Sequence, residues 1–275
     1  MKCKICQSES TVQFKTTVLR KYDVEYFQCR SCNFIQTEDP YWLHEAYEEA
    51  ITDLDIGYVT RNISLAEIVS TFIRFSLSRD ASFIDYGGGY GLFVRLLRDK
   101  GLNFYRQDLH CKNIFSLNFD VNDLREPIAF ELLTAFEVFE HLENPLEEIE
   151  KMFDYSNSIL FSTVLQPAQP ITGPKDWWYV APETGQHIAF YHEKSLKHLA
   201  KHFGCNLYSD GNGLHLLTTR KFRVNPVKAV SYSFALINRI FSRHFNKKRS
   251  LINADSHVAK KHLLEKVEEP AKNLR

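Results

Sequence analysis

Two groups of residues in this 275-residue chain have the types and spacing to do chemistry. In the first, Cys3-x-x-Cys6 and Cys29-x-x-Cys32 form two knuckles with 22 residues between them. Each knuckle lets two sulfurs converge on one cation, and two knuckles close a tetrahedral four-thiolate zinc site. Four thiolates leave no open coordination position, so the expected zinc is structural. Between the knuckles Val, Phe and Tyr recur without a long helical stripe. Residues 1–40 are therefore expected to form a zinc ribbon, in which the metal supplies stability that so few residues cannot reach by burial. Two disulfides are the competing reading. They do not suit a chain whose polar N-terminus, "MKCKICQSES", lacks a secretory apolar region, and the expected address is cytoplasmic.

The second group is "FIDYGGGYG", Phe83 to Gly91, an apolar run that reaches an acid and then turns through four glycines. A glycine-rich turn after a strand lets a ligand touch backbone. The dinucleotide pattern Gly-x-Gly-x-x-Gly fails, because Leu92 stands three residues after Gly89 and Val94 three after Gly91. Asp85 at the mouth of the turn would also repel a pyrophosphate. A ligand with a cation and no phosphate suits it better. S-adenosylmethionine has an α-ammonium and a sulfonium, and Asp85, Gly87, Gly89 and Gly91 would offer it an acid and open backbone. Asp108, 23 positions beyond Asp85, ends the strand-like "LNFYRQD" where an acid could accept hydrogen bonds from ribose hydroxyls. A tight turn with no ligand is the bland alternative.

The elements that must position these residues follow from periodicity. Two helices joined by a loop near Asp55 to Asn62 are expected before the glycine turn. "LFVRLLRDKG" is a helix ending at Gly101, "FELLTAF" and "SILFSTVL" are buried strands, and "NPLEEIEKMF" is a helix with Asn144 as N-cap and Pro145 at its first position. Strands alternating with helices imply a parallel sheet covered on both faces. "CNLYSDGNGLHLLTTRK" adds two strand-like runs around a turn-rich cluster.

At these residues the sequence resembles class I S-adenosylmethionine-dependent methyltransferases. The resemblance rests on "FIDYGGGYG", on "SILFSTVL" and on "LLTAFEVFEHLENPLEEIEKM", where Glu137, Glu140, His141, Leu142 and Pro145 fill a Glu-x-x-Glu-His-Leu-x-x-Pro pattern. With "WWYVAPETGQHIAFYHEKSLKHLAKHFG" and the zinc ribbon it is similar to sugar methyltransferases, including the deoxysugar C-methyltransferase group. The resemblance covers about residues 1 to 220. It implies a Rossmann-like α/β fold with a seven-stranded sheet whose last two strands form an antiparallel hairpin, in a methyltransferase domain spanning 41–220. It implies methylation of a sugar or nucleotide-sugar precursor, on oxygen or carbon. Methyl transfer needs an acceptor held in line and, where necessary, a base; His187 is the first choice and His141 the second. The deoxysugar group carries Tyr-x-Glu-His where this chain reads Thr184-Gly185-Gln186-His187, which leaves O-methylation at least as well supported. Trp177, Trp178 and Tyr179 are expected to wall the acceptor's sugar ring, with a lid or a plain packing knot as alternatives.

The chain has no net charge, but residues 220–275 hold 14 Lys and Arg against 4 Asp and Glu. This basic tail, with Asn225 as N-cap and Pro226 at the first helical position, is expected to be helical through 221–275. Its stripe would pack on its own domain, on a second copy in a homodimer, or on a membrane surface. No apolar stretch approaches the roughly 18 to 20 residues of a membrane span. Two other classes compete: an RNA-directed methyltransferase and a noncatalytic zinc-ribbon interaction protein. The ribbon is not strongly basic and carries no array of stacking aromatics, so a nucleic-acid partner is not expected.

Overall fold

The computed structural model describes residues 1–47, 55–126, 128–234 and 261. Alternating apolar residues after the first knuckle build β1 (Ser10–Val18), which pairs antiparallel with β2 (Tyr22–Cys29) and is followed by β3 (Ile35–Thr37). After a short α1 (Leu43–Ala46) comes α2 (Tyr58–Ser76). The latter begins four residues before the end of the expected loop. Asp55 holds Arg61 through two hydrogen bonds of 3.0 and 2.7 Å, which fastens the first helical turn to the segment before it.

Among the described residues the central sheet has six strands. β4 (Ser82–Tyr86), β5 (Asn103–Gln107), β6 (Phe130–Ala135) and β7 (Ser158–Ser162) are parallel, and the hairpin of β9 (Asn206–Ser209) and β10 (Leu214–Thr218) joins β7 antiparallel. The order is β5-β4-β6-β7-β10-β9. Strand period two sorts the core onto two faces. Phe83, Leu132, Leu160 and Leu216 pack with α2 and with α3 (Leu92–Asp99), whereas Ile84, Leu133, Ile159 and Leu217 pack with α4 (Pro145–Tyr155) and α5 (Glu193–His202). Asn144 occupies the N-cap of α4 without a side-chain capping bond, and Pro145 takes the first helical position.

The expectation of seven strands is corrected to six. Where a strand beyond β5 would pair, there is one isolated parallel bridge, Arg106 to Asp120. Asp120 then opens a 3-10 turn, Val121–Asp123, in a reciprocal capping box with Asp123, so the chain turns instead of extending.

A second sheet joins the N-terminal module to the rest. β8 (Ala189–Phe190) pairs with β3, giving the order β1-β2-β3-β8. The ribbon is thus completed by a strand that begins two residues after His187. From 235 onward the expected basic helix lies outside the described residues, Lys261 apart. Its first turns, 226–234, are helical. Asn225 caps them by accepting from the Val227 and Lys228 N–H groups, and Val227 and Val230 are buried against β10.

Candidate active site and metal centre

The four knuckle cysteines converge. One sulfur from each lies within 4.8 Å of the others, with Sγ pairs at 3.6 Å (Cys3 and Cys32) and 3.4 Å (Cys6 and Cys29). Bonds of about 2.3 Å to a tetrahedral zinc would set sulfurs about 3.8 Å apart, so the set fits that ion. Both separations are far beyond an S–S bond. The two knuckles repeat one geometry. Gln7 N–H donates to Cys3 O and Asn33 N–H to Cys29 O, each at 3.0 Å, and Gln7 and Asn33 both have φ of 60°. A test follows from the shared sheet. Chelating the metal from reduced protein is expected to raise amide exchange in residues 1 to about 40 and in 182–190 before β4 to β7. Metal content near zero in reduced protein, or a disulfide, would overturn this assignment.

The glycine turn sits at the C-terminal end of β4, between β5 on one side and β6 on the other, where the chain order reverses. Ligands of open α/β sheets bind at such a switch point. A cleft of about 380 Å³ opens there, lined by Asp85, Gly87, Gly88, Gly89 and Asp108 and, across from them, by His141 and His187. The glycines have different tasks. A Cβ on Gly89 would protrude where only Tyr58 Oη comes within 4 Å, at 3.7 Å, so this backbone is open to a ligand. Gly87 lacks room, since a Cβ would meet Val138 Cγ2 at 2.7 Å. Gly91 does not line the cleft. Its φ of 85° starts α3, and a Cβ would strike Ser116 Oγ, so its expected place in the cofactor group becomes a structural one.

Asp85 is buried below Gly88 and accepts a hydrogen bond from Thr134 Oγ1 at 2.7 Å. Burial pushes its carboxyl up to about 7. Asp108 accepts three backbone hydrogen bonds, from Gly89 N at 2.8 Å on Oδ2 and from His110 and Cys111 N at 2.8 and 2.7 Å on Oδ1. Arg106, buried under the loop, donates from Nε to Gly89 O at 2.6 Å and from NH1 to Asp120 at 2.8 Å. The ligand turn is therefore clamped from both of its polar backbone faces.

On the facing wall, the chain leaving β6 turns at Glu137, held at φ 54° with its N–H on Ser162 Oγ. A 3-10 turn, Phe139–His141, follows. The imidazoles of His141 and His187 are 5.0 Å apart between centroids. His141 Nδ1 lies 3.0 Å from Gln186 O, and His187 Nδ1 lies 2.7 Å from Tyr179 O. A carbonyl only accepts, so each ring carries its proton on Nδ1 and a lone pair on Nε2. Burial lowers both to about 4, which keeps both rings neutral near pH 7.

Trp177, Trp178 and Tyr179 do not line this cleft, contrary to expectation. Trp177 and Tyr179 are buried with Phe190, Tyr26 and Trp42 where the ribbon meets the domain, and Trp178 is three-quarters exposed, at 75%. The packing knot is what the structure contains. Its consequence for the site is indirect: Tyr179 supplies the carbonyl that orients His187. The ribbon and α1 support the same segment, with Leu19 N donating to Pro182 O at 2.9 Å, Trp42 Nε1 to Gly185 O at 2.9 Å and Gln186 Nε2 to Ala46 O at 2.8 Å. Sequence reasoning missed Tyr58, Arg61 and Arg106. Their signal was faint, an amphipathic helix and a strand arginine with no partner in sequence.

A family model described as Methyltransferase domain matches residues 60–210, more than half of the chain. No curated protein matches the sequence significantly. Among solved structures, the chain is similar to the plantazolicin methyltransferase BpumL in complex with a pentazolic desmethylPZN analog and SAH (12% identity, 66% of this chain and 96% of that one, TM-score 0.44). It is also similar to an O-methyltransferase family protein from Burkholderia thailandensis (12% identity, 71% of this chain and 66% of that one, TM-score 0.45). A third is CalO1, a methyltransferase in calicheamicin biosynthesis, in its SAH-bound form (13% identity, 66% of this chain and 60% of that one, TM-score 0.42).

Proposed function

Because this chain belongs to the methyltransferase-domain family, we propose that its cleft binds S-adenosylmethionine on the β4 side and methylates a hydroxyl of a small polyhydroxylated acceptor, a sugar or nucleotide sugar, on the histidine side. The observation that carries the reading is the facing arrangement of the open Gly89 backbone and two neutral imidazoles across one cleft. S-adenosylmethionine supplies an activated methyl group; the chain supplies position, dryness and proton handling. The open backbone at Gly89 and the buried acid Asp85 suit a ligand with an ammonium and no phosphate. Asp108 has three of its about four lone-pair sites filled, which leaves one for a ribose hydroxyl rather than the two first expected.

Five polar side chains, Arg61, Asn62, Glu137, Thr184 and Gln186, are among the residues that line the cleft. Such a rim suits a molecule with many hydroxyls. His187 Nε2, with its tautomer set by Tyr179 O, is the first candidate to take the acceptor's proton, and His141 Nε2 the second. The direct test is incubation with labelled S-adenosylmethionine and a panel of nucleotide sugars and RNA. Label on a sugar hydroxyl supports the reading, and label on RNA alone would overturn its acceptor half.

Asp85 gives the binding a pH dependence with a defined sign. Its acid form predominates below about 7 in the free protein, and an ammonium beside it favours the ionised form. Binding must then expel a proton at lower pH. Affinity for S-adenosylmethionine is expected to fall about tenfold per pH unit between about pH 7 and 5, a range in which the ligand's own amine stays charged. Calorimetry across this range checks it, and Asp85→Asn should flatten the slope. A wild-type affinity independent of pH would remove Asp85 from the ammonium site.

A further inference from the structure

Glu140 is an unused acid buried behind His141 and His187, which line the cleft. It is fully buried, and neither carboxylate oxygen has a hydrogen-bond partner among the described residues. An isolated carboxylate in such a place is strongly unfavourable without a compensating partner. Arg61, the nearby cation, is instead engaged with Asp55 at 2.7 Å and Glu137 at 3.6 Å. What does approach Glu140 is the Tyr179 phenol, whose hydroxyl likewise lacks a well-formed hydrogen bond among the described residues, and the histidine pair. One donor atom from each of Glu140, His141 and His187 lies within 4.8 Å of the other two.

We propose that Glu140, His141 and His187 bind a divalent transition-metal cation, zinc in the first instance, at the acceptor side of the cleft. Two imidazoles and one carboxylate are a donor set that zinc takes in open sites, where a fourth position is left for an exogenous oxygen. Magnesium and calcium would instead require mostly oxygen donors. The hydrogen bonds from Nδ1 to backbone carbonyls are the outer-shell contacts that fix ligating imidazoles and leave Nε2 for the metal. Bonds of about 2.0 to 2.1 Å set tetrahedral neighbours about 3.4 Å apart, a closure within reach of side-chain torsion. His141 and His187 both line the cleft, so the remaining position faces the space assigned to the acceptor. The contrast with the cysteine site is one of chemistry: four thiolates close a structural centre, and this set leaves one position open.

The inference rests on the reading of this cleft as the methyl-transfer site; with a cation bound, Nε2 of His187 would be a ligand, so the base role assigned to it belongs to the protein without this second cation. Its test uses the full chain with the ribbon metal retained, titrated with zinc in a calorimeter and checked for total metal content. The wild type is expected to take up one cation beyond that of the ribbon. Glu140→Gln and His187→Gln should weaken this second event by more than the ~10- to 100-fold that loss of an outer-shell partner costs, while keeping the ribbon metal and S-adenosylmethionine binding. If Glu140→Gln does not fold, His141→Gln and His187→Gln carry the same comparison. Uptake of no second cation by wild type, or a second event unchanged in these variants, would overturn the site. A wild type that binds zinc as expected but not S-adenosylmethionine would instead overturn the function assigned to the cleft.

Discussion

Replacing His187 with alanine is expected to lower kcat by about 10²- to 10⁴-fold while S-adenosylmethionine affinity changes little. The separation follows from geometry. His187 stands on the wall opposite the glycine turn, and its Nε2 is the lone-pair nitrogen left free by the bond of Nδ1 to Tyr179 O. An interaction with the acceptor's proton grows only as the methyl group moves, so its loss appears in kcat. His187→Gln is the informative companion, because it keeps bulk against the Tyr179 ring, 4.6 Å away, and removes the basic nitrogen. Both variants losing activity alike would locate the effect in the nitrogen and not in packing. The pH profile adds a second readout. Burial holds His187 at about 4, so at saturating S-adenosylmethionine the acidic limb of the wild-type kcat is expected near that value and not near 6.5. Activity within about tenfold of wild type in both variants would show that proximity alone drives the reaction at this wall.

The same segment explains what could and could not be read from the residues alone. Cys3-x-x-Cys6, Cys29-x-x-Cys32 and the turn from Asp85 to Gly91 were legible because their chemistry needs fixed local spacing, and local spacing is what a sequence displays. Gly91 broke the pattern in an instructive way. Its positive φ and its crowding by Ser116 and Asn113 are demands of the helix start, and a glycine needed for packing has the same letter as one needed for a ligand. Trp177 to Tyr179 were misplaced for a related reason: whether an aromatic run faces a cleft or a core depends on what lies behind it. Here Phe14, Tyr26, Trp42 and Phe190, drawn from both ends of the described chain, lie behind it.

Long-range polar pairs were the least legible part. Arg106 is an interior residue of a strand, and its partners are Gly89, from the turn after β4, and Cys111 and Asp120, from the connection after β5. Glu140 was visible within a motif, but its burial and its nearness to His187, 47 positions away in sequence, belong to tertiary structure. The sheet followed the same division. Its central strands were readable from continuous apolar runs, since both faces are covered. The edge was not, because one bridge at Asp120 and a capping box separate a strand from a turn.

Asp108→Ala is expected to weaken S-adenosylmethionine binding by about 1.5 to 3 kcal/mol, the scale of hydrogen bonds to a charged group, or roughly 10- to 150-fold. Two losses contribute to that figure. One is the remaining lone-pair site on the carboxylate, which would accept a ribose hydroxyl. The other is loop order, because Gly89, His110 and Cys111 all donate to this side chain. Asp108→Asn distinguishes them. An amide has one oxygen, so it can retain either the Gly89 bond or the His110 and Cys111 pair, and its NH₂ would face the N–H donors left on the other side. If the loop bonds dominate, Asn should bind nearly as poorly as Ala. If the ribose contact dominates, adenosine lacking its ribose hydroxyls should bind wild type and the Ala variant about equally, whereas adenosine itself should separate them. Arg106 makes the loop term the larger one, since its donation to Gly89 O depends on Gly89 staying where Asp108 holds it. Unchanged affinity in Asp108→Ala, measured by calorimetry, would mean that neither the loop nor the carboxylate contributes to the cofactor site, and the ligand would then have to enter elsewhere in the cleft.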